Sequence, residues 1–249
     1  MTHVRRNFEE QLEQLQQRLL QMGAFVEAML DKSSRALTDQ DIDLAQEVIE
    51  SDDVADDMDL AIEKQCMRLL ALQQPMSGDL RTIGTVMKVI ADVERIGDYS
   101  VDIAKTAIEL AHTEYFKPLV DIPRMAKRVR DLLREALNAL VERDLELVNQ
   151  VIDGDDDVDK MWHNLRDEII GIMEDDPSTV DQGVALVLVA RYLERIADHT
   201  VNIVERVAYM ETGELKTLAP SHRAEYDVEE SFEGVEKTGG NRTEENGDS

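Results

Sequence analysis

The sequence predicts an all-α protein made of two tandem three-helix units. Aromatic residues make up 4% of the 249 residues, and there are only 5 prolines and 12 glycines, a mix that favours helices over sheets. Apolar residues recur at three- and four-residue spacing through several long stretches, as they do in amphipathic helices. A segment of the first half also recurs in the second half. A duplicated set of helices accounts for all three observations.

The first half of the chain contains three amphipathic stretches, which predict helices at 8–36, 41–73 and 79–111. The polar run TDQD at 38–41 supplies cap and turn residues between the first two helices. The second helix is expected to end before Pro75, because the residue that precedes a proline avoids the helical region. Ser77 or Asp79 is then a suitable N-cap for the third helix.

The second half begins after HTEYFKPLVDIP at 112–123, which contains two prolines and interrupts the apolar period. Three further amphipathic stretches predict helices at 123–142, 144–174 and 177–211. After Gly213 the apolar period disappears, so we expect the remaining residues to be mostly disordered. The predicted organisation is a first bundle at 8–111, a linker at 112–122, a second bundle at 123–211 and an acidic tail at 212–249.

The two halves repeat each other in sequence. Residues 36–58 align without gaps with residues 139–161, so that position 36 matches position 139. A second repeated segment reads VERIGDYSVDIAK at 93–105 and LERIADHTVNIVE at 193–205. The offset is 103 residues in the first alignment and 100 in the second, so only the length of the middle loop differs between the halves.

Each half carries polar residues at matching positions on two different helices. In the repeated ERI segment they are four residues apart and therefore share one helix face. A second acidic pair, also four residues apart, lies on the preceding helix. The candidate ligands are Asp52, Asp56, Glu94, Asp98 and Asp102 in the first half, and Asp155, Asp159, Glu194, Asp198 and Asn202 in the second half.

These positions predict two equivalent cation sites, each built from two neighbouring helices. Several carboxylates that lie close together cannot all stay ionised without a cation between them. Ligands that offer only oxygen suit hard ions such as Mg²⁺, Ca²⁺ and Mn²⁺. Iron is also possible if each site holds more than one metal ion. The alternative is a solvated acidic face, or interhelical salt bridges to Arg95 and Arg195, because acidic pairs are common in a chain with 54 acidic residues.

Composition and motifs exclude several other classes. The net charge of −27 repels phosphate backbones and anionic lipids, so we expect no direct nucleic-acid partner. We interpret this acidity as typical of a protein from a salt-rich cytoplasm. The single cysteine, Cys66, excludes an intramolecular disulfide. The charged N-terminal segment and the short apolar runs lead us to expect a soluble cytoplasmic protein without membrane insertion.

The sequence offers little for catalysis. It contains no phosphate-binding glycine loop, no nucleophile elbow and no H-E-x-x-H motif. A single E-x-x-H occurs at Glu109 and His112, whereas a ferritin-like di-iron site needs two copies and two further glutamates. We therefore expect no enzymatic activity.

Two segments resemble the PhoU family, whose members regulate phosphate uptake. They are LLALQQPMSGDLRTIGTVMKVIADVERIGDYSVDIA at 69–104 and ARYLERIADHTVNIVERV at 190–207, and the resemblance covers about residues 8–211. It implies two three-helix bundles with pseudo-twofold symmetry. It also implies clusters of iron or other divalent metal ions at the E/D-x-x-x-D motifs. Asp102 stands where the family often has Asn, as at Asn202.

The resemblance further implies a cytoplasmic adaptor that acts with the phosphate ABC transporter and restrains uptake when phosphate is plentiful. A membrane sensor kinase is a further partner in many bacteria with such proteins. We also expect a homodimer, because exposed apolar bundle faces favour helix pairing. Two alternatives are a metal-buffering or metal-dependent helical protein unrelated to transport, and a transcriptional regulator of phosphate genes, which the charge of −27 disfavours.

Overall fold

The computed structural model describes residues 3–73 and 75–218, and within these ranges it contains helices and no strands. The all-α prediction is confirmed. The α-helices of the described part are α1 His3–Asp39, α2 Ile42–Glu50, α3 Asp52–Gln73, α4 Ser77–Leu110, α5 Asp121–Glu142, α6 Leu145–Asp175 and α7 Val180–Thr212. A 3₁₀ turn at Pro177–Thr179 precedes α7, where the sequence predicted the start of that helix.

The predicted helix 41–73 is divided in two at Ser51, which is a correction to the sequence-based boundaries. The Ser51 backbone stays helical, with φ −77° and ψ −13°. Its hydroxyl donates to the Glu47 carbonyl at 2.7 Å, and its backbone N–H donates to the same oxygen at 3.1 Å. A serine that bonds back to the preceding turn competes with the regular helix bonds and bends the helix.

The two halves fold into three-helix bundles, which confirms the predicted architecture. The first bundle contains α1, the α2–α3 pair and α4, and the second contains α5, α6 and α7. Between the bundles, α4 lies along α7 and α1 lies along α5. Both bundles belong to one compact unit that ends at Leu215. Residues 111–120, which include most of the predicted linker, are not helical.

The turn between the first two helices is the same in both halves. Gln40 and Arg143 match under the offset of 103, and both have φ 55°, in the left-handed region. The next residue is an N-cap in each case: Asp41 accepts from the Leu44 N–H at 3.0 Å, and Asp144 accepts from the Glu146 N–H at 2.7 Å. These caps satisfy backbone donors that would otherwise lack a partner at the helix start.

Two ion pairs between α1 and α5 are related by the pseudo-twofold symmetry, but the acidic residues all lie on α1 and the basic residues on α5. Arg130 pairs with Asp31, and Arg134 pairs with Glu27. Under the offset of 103, Glu27 corresponds to Arg130 and Asp31 to Arg134. Each of the two acidic residues of the first bundle therefore pairs with the arginine that corresponds to the other one. Two identical bundles would place like charges at these positions, so the charge exchange favours pairing of unlike halves.

No helix in the described part of the chain is both long enough and apolar enough to cross a membrane. Most of the predicted acidic tail lies outside the described residues, which end at 218.

Candidate metal centres on the two bundles

The first bundle brings its predicted acidic residues together between α3 and α4. The pKa of Asp52 is raised by burial, and next by the charges of Asp56 on its own helix and Asp98 on α4. The pKa of Glu94 is likewise raised by burial first, then by Asp98 and, across the helix pair, by Asp56. The four carboxylates thus crowd one another, as the sequence predicted for a two-helix cluster.

Asp59 is a fifth acidic residue near this first cluster, and the sequence analysis missed it. The charge of Asp59 contributes to the raised pKa of Glu94. Its own pKa is raised by burial first, and then by Glu63 and Asp56. The signal in the sequence was its position three residues after Asp56, on the same helix face. Alignment of the two halves did not mark Asp59 as a candidate, because its counterpart in the second half is Trp162.

Cations on the cluster helices pair with some of these carboxylates. The Arg95 Nη1 atom lies 2.9 Å from Asp98 Oδ2, and the Arg95 Nε atom lies 3.7 Å from Glu94 Oε2. In the second bundle, Arg195 Nη1 lies 3.2 Å from Asp198 Oδ2. These pairs are made within one helix, not between helices as the salt-bridge alternative proposed. Partly exposed pairs of this kind contribute little stability and exchange readily.

The second cluster, between α6 and α7, is more deeply buried. Asp155 is 1% exposed and Glu194 is 7% exposed. The pKa of Glu194 is raised to about 7, mainly by burial and next by the charges of Asp198 and Asp159, while Arg191 and Arg195 oppose the rise. One Glu194 oxygen accepts a hydrogen bond from Arg191, whereas its Oε2 atom is buried without a hydrogen-bond partner.

The two clusters match in position but differ in their surroundings. In the second bundle, Arg191 and Arg166 lie 5.9 Å and 5.8 Å from the centre of the Trp162 ring. The matching positions in the first bundle are Ala91 for Arg191, Glu63 for Arg166 and Asp59 for Trp162. The first cluster therefore has two further acidic residues and an alanine at positions where the second has an aromatic ring and two arginines. The carboxylates of the two clusters match in sequence position, but their charge environments differ.

Asp102 and Asn202, the last predicted residue of each stripe, have contacts at the α4–α7 interface. The Asn202 amide donates to Asp92 Oδ1 at 3.2 Å, and His199 Nδ1 lies 2.9 Å from the same oxygen. Asp102 accepts a hydrogen bond from Lys105 at 3.3 Å, and its charge contributes to the raised pKa of Tyr192, after burial. Each four-residue step advances about 40° around a helix, so after two steps the last residue of the stripe already faces the neighbouring bundle.

The donor set of both clusters fits a hard cation, although the side chains are not assembled around one. Carboxylate oxygens are the ligands that such ions prefer, and the buried Glu194 Oε2 atom has unused acceptor capacity. Within residues 3–73 and 75–218, however, no three His, Cys, Asp or Glu side chains converge closely enough to hold a metal ion. For a cation to bind, the carboxylates of a cluster would have to move closer together.

Comparison with known proteins identifies relatives along both bundles. The family model described as PhoU domain matches residues 19–107 and again residues 122–207. The chain is similar to proteins named phosphate-specific transport system accessory protein PhoU homolog. The protein from Clostridium acetobutylicum is 39% identical over 84% of this chain and 96% of its own length, and the one from Aquifex aeolicus is 37% identical over 83% and 93%.

Two solved structures have the same fold. The crystal structure of PhoU from Pseudomonas aeruginosa gives a TM-score of 0.80 at 35% identity and covers 83% of this chain and 100% of that one. The crystal structure of the phosphate transport system regulatory protein PhoU from Streptococcus pneumoniae gives a TM-score of 0.80 at 32% identity and covers 85% and 100%. These relatives are named as accessory and regulatory proteins, which agrees with the prediction of a non-enzymatic protein.

Proposed function

Because the chain belongs to the PhoU family, we propose that it is an accessory protein of a phosphate-specific transport system. The observation that carries this proposal is the match of both bundles, and not of one alone, to proteins that bear that name. The proposed role is regulatory: the protein docks onto cytoplasmic parts of the phosphate ABC transporter and restrains uptake when phosphate is plentiful. A sensor kinase is a further proposed partner in this role.

The proposed working form is a cytoplasmic homodimer. Val180, Val184 and Leu188 lie four residues apart on α7, and each is between 40% and 48% exposed. An exposed aliphatic stripe on a helix is a suitable surface for pairing with another helix. Light scattering coupled to size-exclusion chromatography tests this form: a mass near twice 28.2 kDa supports the dimer, and a mass near 28.2 kDa rejects it.

The proposed ligands of the adaptor are divalent or iron-type metal ions held by the carboxylate clusters. Asp52, Asp56, Glu94 and Asp98 would hold the ion in the first bundle, and Asp155, Asp159, Glu194 and Asp198 would hold it in the second. A bound cation supplies positive charge that lets crowded carboxylates stay ionised at neutral pH. The raised pKa values of Glu94 and Glu194 support this proposal, because burial and neighbouring carboxylates disfavour negative charge at these positions.

Metal content is the direct test of this part of the proposal. A variant with Glu94→Gln and Asp98→Asn removes two ligands from the first cluster and leaves the second intact. We expect its bound metal, measured by inductively coupled plasma mass spectrometry, to fall to about half. The matched control replaces Glu109 and Glu174, two exposed glutamates outside the clusters, with Gln. Equal metal in the cluster variant and the control would reject the two-site model.

The transport role is tested by deletion of the gene and measurement of phosphate uptake in phosphate-rich medium. We expect the deletion strain to take up more phosphate than the parent, and the wild-type gene on a plasmid to reverse the increase. Unchanged uptake together with unchanged intracellular phosphate would refute the transport role. This result would leave the metal measurement interpretable by itself, because that measurement uses purified protein.

A further inference from the structure

A groove between α1 and α3 carries the opposite charge to the rest of the protein. It has a volume of about 440 Å³. Its lining consists of three cationic side chains, three glutamines and one alanine: Arg18, Lys64, Arg68, Gln11, Gln14, Gln65 and Ala61. Among the described side chains, none that lines the groove is acidic, although acidic residues outnumber basic ones 54 to 27 in the chain.

The three cations of this groove are also unusual in having no carboxylate partner among the described residues. Most other lysines and arginines of the described part form an ion pair, as Lys32 does with Glu47 at 3.0 Å. Arg18, Lys64 and Arg68 are exposed and form no ion pair with any described side chain. Cations gathered in a concave surface without local neutralisation raise the local concentration of anions, even when the net charge of the protein is negative.

The cations form a row along the groove. The Gln65 side chain donates to the Gln11 backbone carbonyl at 3.3 Å, which sets the register between the antiparallel helices α1 and α3. Arg18 lies seven residues beyond Gln11 in one direction, and Arg68 lies three residues beyond Gln65 in the other. At 1.5 Å per residue, the two arginines are on the order of 15 Å apart along the helices, with Lys64 between them.

This arrangement fits a short chain of linked phosphoryl groups better than other anions. A single oxyanion would fill a small part of the groove and reach one or two of the cations. A chain of phosphoryl groups carries about one to two negative charges on each group and offers acceptor oxygens along its length, which suits guanidinium forks at both ends. An acidic peptide would find no backbone partners here, because the N–H and C=O groups of α1 and α3 are used within the helices.

We propose that the groove between α1 and α3 is a binding site for a linear phosphoryl oligoanion, either an inorganic polyphosphate or the phosphate chain of a nucleotide. Arg18 and Arg68 hold the two ends of the chain, Lys64 neutralises its middle, and the glutamine amides donate further hydrogen bonds. The site is separate from the carboxylate clusters, so it does not depend on whether those clusters hold metal.

Isothermal titration calorimetry of the full chain in about 0.1 M salt tests the proposal, with sodium tripolyphosphate, ATP and inorganic phosphate as separate titrants. We expect tripolyphosphate to bind saturably and more tightly than inorganic phosphate. Arg18→Gln and Arg68→Gln should each weaken its binding by about three- to tenfold. Lys88→Gln is the matched control, because Lys88 is an exposed cation on α4 outside the groove; this variant should bind within about twofold of the wild type.

The outcomes separate the possible sources of binding. Equal affinity for ATP and tripolyphosphate would show that the protein recognises the phosphate chain and not the nucleoside. Binding of tripolyphosphate but not of ATP would assign the site to the inorganic chain. Both outcomes support the proposal. The variant with Glu94→Gln and Asp98→Asn should bind tripolyphosphate as the wild type does, and an equal loss there would overturn the proposal. So would the absence of saturable binding, an equal loss in Lys88→Gln, or displacement by polyglutamate at the same charge concentration.

Discussion

Glu194→Gln is expected to change how the stability of the protein depends on pH. The pKa of Glu194 rises from its ordinary value of 4.5 to about 7, mainly because the side chain is buried. The unfolded chain releases this proton near pH 4.5, but the folded chain keeps it until about pH 7. The folded state therefore binds more protons in that window, and the free energy of unfolding falls as pH rises through it.

The magnitude follows from the two pKa values. An increase from 4.5 to about 7 corresponds to about 3 kcal/mol of stability lost above pH 7 in the metal-free protein. Glutamine removes this cost and also the charge attraction to Arg191, so the net gain of the variant above pH 7 should be about 1–3 kcal/mol. Near pH 4.5 the variant and the wild type should differ little.

Urea unfolding in a chelating buffer at pH 5, 6, 7 and 8 measures this dependence directly. The difference in the free energy of unfolding between Glu194→Gln and the wild type isolates the contribution of Glu194 from those of all other titrating groups. Glu174→Gln, an exposed glutamate on the preceding helix, is the control and should follow the wild type at every pH. If the curves of Glu194→Gln and the wild type remain parallel from pH 5 to 8, the assignment of a buried, proton-binding Glu194 is refuted.

Three further predictions concern the scaffold of the second cluster. Gly154→Ala should lower the free energy of unfolding by about 1–3 kcal/mol, because its new Cβ atom would lie 2.5 Å from Leu132 Cδ2. The control is Gly171→Ala, whose Cβ atom would meet nothing within 4 Å, and it should be neutral or stabilising by up to about 1 kcal/mol. Thermal unfolding measures both effects. Asp144→Ala should cost about 1 kcal/mol through loss of the α6 N-cap, and Asp144→Asn should restore most of it. Arg191→Gln should raise the pKa of Glu194 further, measurable by carboxyl NMR, and an unchanged value would exclude a direct charge interaction between the two side chains.

The sequence predicted the helices and their pairing well because both depend on local and repeated signals. Asp41 and Asp144 match in the repeat, and both cap a helix in the structure. Apolar periodicity defined the six long segments. It could not reveal the break at Ser51, which depends on a single hydroxyl that bonds to the preceding turn and leaves the apolar pattern intact.

The candidate clusters were predictable only to the extent that the two halves agree. The repeat marked the acidic residues that the bundles do bring together across two helices. It could not mark Asp59, because the repeat holds Trp162 at the matching position. The partner of Asn202 could not be predicted from the sequence either, because its contact with Asp92 joins helices of different bundles. Contacts between bundles depend on how the halves pack, and no spacing within one helix encodes that.

We propose that this PhoU-family protein restrains phosphate uptake through its acidic clusters. The most direct test of this claim is phosphate uptake in the deletion strain carrying one of three plasmids: the wild-type gene, a variant with Glu94→Gln, Asp98→Asn, Glu194→Gln and Asp198→Asn, or the control with Glu109→Gln and Glu174→Gln. We predict that the wild-type gene and the control restore restraint in phosphate-rich medium and that the cluster variant, present at equal abundance, does not. Full restraint by the cluster variant would contradict the claim.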